Sequence, residues 1–376
     1  MMQRYSEPNE LVIDDTSLLP QFLARDTSLH PDERGKTQSK SRFAQTAKKA
    51  LVRSGLVALA RRMPTSEECA TILRYHSVSA GQNYCSPTIA VSPELFERQM
   101  SFLARNYIVF PLGELLARFA RRELPKGSVA ITFDDGYLDN ATNALPILAR
   151  YGLTATFFVT SDAVLGKGSF WVGWLYRAVA TASDATLSRA CQAMAGTARP
   201  GASRDACFAA LAALVDNARG GVRQSYLSEL ERLFPAMPPL AAPSDFMMTV
   251  NDLREMHQAG MTIGAHTATH RVLAGIDRQV VQEELSRSKT DLETALETAV
   301  DHLAYPNGHV LKNVDETAIS VAGEIGYVSA GTSRRGILTK TSSYLDLPRQ
   351  GVNEMLGFEG FVFKLEETRF SRLLRG

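Results

Sequence analysis

The run Val129-Ala130-Ile131-Thr132-Phe133 is almost continuously apolar, and two carboxylates, Asp134 and Asp135, follow it at once. An alternating strand keeps one face wet. This one has no wet face, so it predicts a parallel strand covered on both sides. Parallel neighbours need long crossover connections, usually helices. From residue 70 onward the chain supplies them. Strand-like runs at Thr71–Ser77, Tyr107–Pro111, Val129–Phe133, Thr154–Thr160, Met261–His266, Leu303–Tyr305, Tyr327–Ala330 and Leu345–Val352 alternate with helical patterns. The helical patterns are Pro93–Arg105, Asn143–Arg150, Val250–Gln258, Gln279–Glu297 and Val314–Gly326. This rhythm predicts an α/β fold whose parallel sheet closes into a barrel.

With 376 residues, 45% of them hydrophobic and 22% charged, the chain can bury a sizeable core without a disulfide framework. Lys plus Arg number 41 against 40 for Asp plus Glu, so no global field attracts nucleic acid. No apolar run reaches the ~18–20 residues that span a bilayer. The N-terminus has no basic-then-apolar signal pattern, which gives the expectation of a cytoplasmic protein. Cys69, Cys85, Cys191 and Cys207 lie far apart and are expected as free thiols in a reducing compartment.

Two segments break the rhythm. Residues 1–63 read as an extension separate from the barrel of 64–376: acidic and without periodicity up to about Arg34, then basic. Lys36–Arg62 holds eight basic residues and no acidic one, with Phe43, Leu51, Leu56, Val57 and Leu59 interleaved. This fits either a helix packed on the domain edge or a basic amphipathic helix touching the inner face of a membrane. The Ala-rich stretch 171–243 contains no strand pattern and reads as two or three helices inserted into the barrel, able to shape a substrate groove or merely to lengthen a loop, with Trp171 and Trp174 placed either to line that groove or to pack helices.

Chemistry gathers where strand patterns end. Asp134 and Asp135 repel each other unless a cation or proton intervenes, although Asp also serves as a helix cap. His266 and His270, four apart after another strand, can face one metal if the chain between them turns helically. One Asp and two His leave open positions for water on zinc or a similar ion, as in catalytic rather than structural sites. Pro306-Asn307-Gly308 follows a third strand, as a rim loop or an ordinary turn. The C-terminal rim of a parallel barrel is where such sites collect.

In this order, each after a strand, the three motifs resemble the polysaccharide deacetylase family (the NodB-homology group, carbohydrate esterase family 4), in an exopolysaccharide-type form with permuted motifs. The resemblance covers about residues 70–355, including the approach Thr249–Met256 and Ala259-Gly260. It implies a distorted (β/α) barrel of seven or eight strands with a helical insertion, and hydrolysis of N-acetyl groups from an N-acetylated glycan or linked sugar precursor. It implies one divalent ion, zinc or else Co2+, Ni2+ or Mn2+, on Asp135, His266 and His270. It further implies Asp134 as general base and the backbone N–H of Asn307 as oxyanion donor. The family's C-terminal Leu-x-x-His acid is missing, since no histidine follows His309, and Ala304 stands where relatives carry a base-orienting Arg. His76, ending the first strand, is the replacement acid, and Arg349 near the last strand is the replacement Arg. The rival readings are a hydrolase of another non-peptide C–N bond and a glycan-binding barrel without turnover.

Overall fold

Strand β5 (Ser128–Phe133) is buried along its whole length, as its apolar sequence requires. The computed structural model describes residues 69–196 and 203–373. The extension 1–63, with its basic segment, lies outside the described residues. On one edge of β5, β1 (Thr71–Tyr75) pairs in register from Thr71 opposite Val129 to Tyr75 opposite Phe133. The other edge is shared: β4 (Ile108–Val109) takes Ser128 and Val129, and β6 (Thr156–Val159) takes Thr132 and Phe133. β7 (Thr262–Ala265), β8 (His302–Ala304) and β9 (Ser329–Gly331) follow, and β10 (Gln350–Gly351) pairs back to β1, every pairing parallel.

The strand expected over Leu345–Val352 is divided. Leu347 bridges to Gly331 of β9, whereas Gln350 and Gly351 pair with Leu73 and Arg74 of β1. Pro348 stands between them and has no N–H for a ladder. Pairing therefore passes round the whole ring through this broken segment. The result is an eight-stranded distorted (β/α) barrel. Two short strands, β2 (Ser77–Val78) and β3 (Ala90–Val91), pair separately beside it.

Period-two alternation sorts the side chains. Ile72, Ala130, Phe158, Ala304 and Leu347 meet inside the barrel. Leu73, Ile131, Phe133, Phe157 and Leu303 face outward onto the helices. The helices of the described residues are α1 (Pro93–Asn106), α2 (Leu112–Arg121), α3 (Leu145–Arg150), α4 (Ser161–Val164), α5 (Trp171–Thr181), α6 (Asp184–Ala195), α7 (Arg204–Asn217), α8 (Val222–Leu233), α9 (Val250–Gln258), α10 (Arg278–Leu296), α11 (Glu316–Ile325) and α12 (Gly357–Leu373). A π-helical turn, Asn140–Ala144, precedes α3. Two of its asparagines instead turn their amides to the carbonyls of His76 and Val78, each within 2.8 Å.

Among the described residues the inserted stretch holds four helices, α5 to α8, rather than two or three. Ser183 and Ser203 supply the side-chain caps that start α6 and α7. These helices have their own core, with Trp174, Leu175, Leu187, Leu211 and Leu230 buried together. All four cysteines are free. Among the described residues no helix is long and apolar enough to cross a membrane.

Candidate active site

Two inward positions above the apolar floor, the rim turns polar. The alternation that puts Ile72, Ala130 and Leu347 at the floor carries Arg74 and His76, Thr132 and Asp134, and Arg349 up the inner wall. Asp134 continues the ladder through its N–H to the Tyr75 carbonyl at 3.0 Å. Asp135 then turns left-handed, with φ of 79°, so the neighbouring carboxylates diverge.

Asp135 faces both histidines. Its Oδ1 lies 3.3 Å from His266 Nε2 and 3.4 Å from His270 Nε2. All three side chains are buried, and their donor atoms fall within 4.8 Å of one another. The segment from His266 to His270 is a loop and not the helical turn that four-residue spacing implied. Left-handed Thr267 (φ 61°) and His270 (φ 55°) bring the rings together instead.

These residues fit a divalent cation. His266 Nδ1 contacts the Ala304 carbonyl at 2.7 Å. A carbonyl only accepts, so Nδ1 carries the proton and a neutral ring presents Nε2 as a lone pair. That lone pair faces the lone pairs of Asp135. Two acceptors at 3.3 Å require a proton or a cation between them. Ligand bonds of about 2.0–2.1 Å in a tetrahedron place donor atoms roughly 3.3 Å apart. Burial opposes ionisation of Asp135, but the two imidazoles beside it hold its carboxyl well below the usual range.

Asp134 belongs to a different pair. Arg349 NH1 and NH2 donate to its Oδ1 and Oδ2 at 2.6 and 2.8 Å, a bidentate bond between two buried groups. The guanidinium is itself braced by the Thr332 carbonyl at 3.0 Å and by Thr132 Oγ1 at 3.2 Å. Burial pushes the Asp134 carboxyl up; Arg349 outweighs it and keeps the group lowered and ionised.

His76 stands at the same rim and lines the same cavity as Asp134 and Asp135. Burial leads in lowering its pKa to about 4, against the opposing pull of Asp135 and Asp134. Its Nδ1 is buried and has no hydrogen-bond partner among the described residues. Asn307 is exposed to the cavity in the loop after β8.

The cavity holds about 570 Å³ and has a second wall, so the insertion shapes a groove rather than merely lengthening a loop. Phe208, Ala212 and Asp216 of α7 and Tyr176 of α5 face the rim from the inserted helices. Trp171 lines the cavity too, whereas Trp174 packs in the insertion core and donates its indole N–H to the Pro238 carbonyl at 2.7 Å. His309 is exposed at the cavity wall. Asp139 was missed in the sequence. Its carboxylate accepts from Ser77 Oγ, the Val78 N–H and the Tyr84 hydroxyl at 2.6 to 2.9 Å, tying down the chain after His76. Its place three residues past Gly136, in the same motif, was the available signal.

Comparison with known proteins agrees with this geometry. A family model described as polysaccharide deacetylase matches residues 121–175 and 240–330, the two stretches flanking most of the inserted helices. A Bacillus subtilis (strain 168) protein that carries the provisional name polysaccharide deacetylase YxkH is 23% identical over 79% of this chain and 76% of its own length. The deacetylase PplD of Streptococcus pyogenes, solved with acetate, superposes with a TM-score of 0.55 at 20% identity, over 80% of this chain and 99% of that one. A polysaccharide deacetylase from Bacillus cereus gives 0.53 at 20% identity, over 80% and 70%. The solved structures share the barrel. The family model also spans Asp134, Asp135, His266, His270 and Asn307. Over residues 121–175 and 240–330 the chain is similar to the polysaccharide deacetylase family.

Proposed function

We infer that the protein removes N-acetyl groups from an N-acetylated sugar of an exopolysaccharide or cell-envelope glycan. The reading includes a divalent ion, zinc first, on Asp135, His266 and His270. One observation carries it: three convergent donor atoms stand beside a separate carboxylate, Asp134, that a buried arginine keeps ionised and oriented.

An amide is a poor electrophile and water a poor nucleophile. A bound divalent ion supplies the positive charge that polarises the acetyl carbonyl and acidifies water. Asp134 accepts the proton of the attacking water, and Arg349 fixes the direction of its lone pairs. The Asn307 N–H donates to the oxyanion that forms at the carbonyl carbon. The amine leaves only once it is protonated. His76, neutral at rest, draws a proton from solvent as negative charge grows beside it and passes it to the nitrogen, and Asp134 returns the water's proton to solvent after turnover. Work in the cytoplasm, at the inner membrane face through residues 36–62, belongs to the same proposal and rests on the sequence.

Acetate release from a panel of N-acetylhexosamine oligomers and linked precursors, with and without added metal, tests the reading. The expected result is metal-dependent release. His270→Ala should lose about one metal equivalent per chain. Asp134→Asn should keep the metal and lose turnover by several orders of magnitude. Glycan binding with no acetate release in any condition would identify a barrel without turnover.

A further inference from the structure

The loop after β8 is held from two directions. Asn307 and Gly308 are both left-handed, with φ of 57° and 56°, a conformation that glycine adopts freely and asparagine more readily than other side chains. From the barrel side, Ser333 donates Oγ–H to the Asn307 carbonyl at 2.6 Å and its N–H to the Gly308 carbonyl at 2.7 Å. Arg74, on the inner wall, donates to the same Ser333 Oγ. The hydroxyl thus accepts one bond and donates another, which fixes its rotor. The approach is close: a Cβ on Gly308 would lie 2.7 Å from Ser333 N and 2.8 Å from its Oγ. From the opposite side, Asp216 near the C-terminal end of α7 accepts from Asn307 Nδ2 at 2.9 Å.

The geometry points to Ser333 and Asp216 as positioning residues that clamp Asn307 between barrel and insertion and so aim its N–H at the oxyanion. This rests on the deacetylase reading above and extends it. The inserted helices become part of the catalytic apparatus. The direction of a backbone donor is set by the dihedrals on either side of it, and so by whatever anchors the residue's carbonyl and side chain. Here a hydroxyl holds the carbonyl and a carboxylate holds the side chain of the same residue. Removing an oxyanion donor outright costs about 10²–10³ in kcat; a loosened donor should cost a fraction of that.

Ser333→Ala and Asp216→Ala should each lower kcat about tenfold or more, with KM within about threefold and metal content unchanged. Ser333→Thr and Asp216→Asn retain the hydroxyl and an acceptor oxygen and should recover most of the loss. The double alanine variant should lose less than the product of the singles, because both act on one N–H. N-trifluoroacetyl substrates, whose fluorines stabilise the oxyanion, should narrow the deficit. A second readout needs no turnover: the amide resonance of Asn307 in the resting protein should move in both alanine variants and return in Ser333→Thr and Asp216→Asn. If wild type releases no acetate, the deacetylase reading fails while this resonance still reports the clamp. An unmoved resonance, or alanine variants with wild-type kcat, overturns the proposal. So does a loss that appears equally in KM and melting temperature and is not rescued.

Discussion

A guanidinium only 1% exposed survives in a barrel interior because every face of it is answered: Asp134 on one edge, Thr332 and Thr132 on the others. Arg349→Met should leave Asp134 buried and unpaired, destabilising the fold by about 3–5 kcal/mol. It should also raise the Asp134 pKa, moving the acidic limb of the kcat/KM profile to higher pH. Arg349→Lys keeps the charge but not the fork, so the limb should return while kcat stays low. Parallel denaturation and pH–rate profiles check both. At His76 burial outweighs the pull of the neighbouring carboxylates. A folded pKa of about 4 against about 6.5 unfolded means that the unfolded chain binds the extra proton between those values. The associated stability is present above pH ~6.5 and lost as pH falls toward ~4, by up to about 3 kcal/mol. His76→Ala should flatten that part of the metal-free protein's stability curve, keep the metal when loaded, and cut turnover roughly 10²–10⁴-fold. An unchanged acid slope in the variant would contradict the assignment. The motif residues were legible because their chemistry is local, two acids or two histidines within five positions. Asp216 and Ser333 were not: each reaches Asn307 from far along the chain, 91 and 26 residues away, and no local pattern marks a side chain recruited by tertiary contact.

Elements were legible where one face or one period dominated. The all-apolar β5 and the amphipathic α1 and α9 announce themselves, and the expected bounds of α9 coincide with the observed ones. The last strand misled, because a β-rich run around Pro348 cannot pair continuously. The inserted helices were undercounted even though serine caps at Ser183 and Ser203 were there to be read. β9 offers the sharpest test at this scale. A Cβ on Gly331 would sit 2.7 Å from Arg349 Nε and 2.9 Å from its Cδ, in an interior with no slack. Gly331→Ala should therefore push the guanidinium off Asp134 and lower kcat about tenfold or more without loss of metal. Metal analysis beside steady-state kinetics separates this from disruption of the Asp135 site.

At the scale of the molecule, the barrel and its inserted helices contain every group that the mechanism uses, all between Arg74 and Arg349. Deleting residues 1–62 should leave turnover on a soluble substrate intact while reducing binding to anionic liposomes; unchanged liposome binding removes the membrane contact. Ring closure has a further consequence. Arg349, which holds the proposed base Asp134, sits 215 residues beyond it, on the segment that joins β9 to β1. At ribosomal speeds of about 5–20 residues per second, Arg349 is made roughly 10–40 s after Asp134. From the synthesis of His270 to that of Arg349 the nascent chain holds its acids and histidines without the partner that the proposed base needs. Hydrolytic capacity arrives only with the final stitch of the ring, so a chain released early should be inert toward the glycan rather than weakly active.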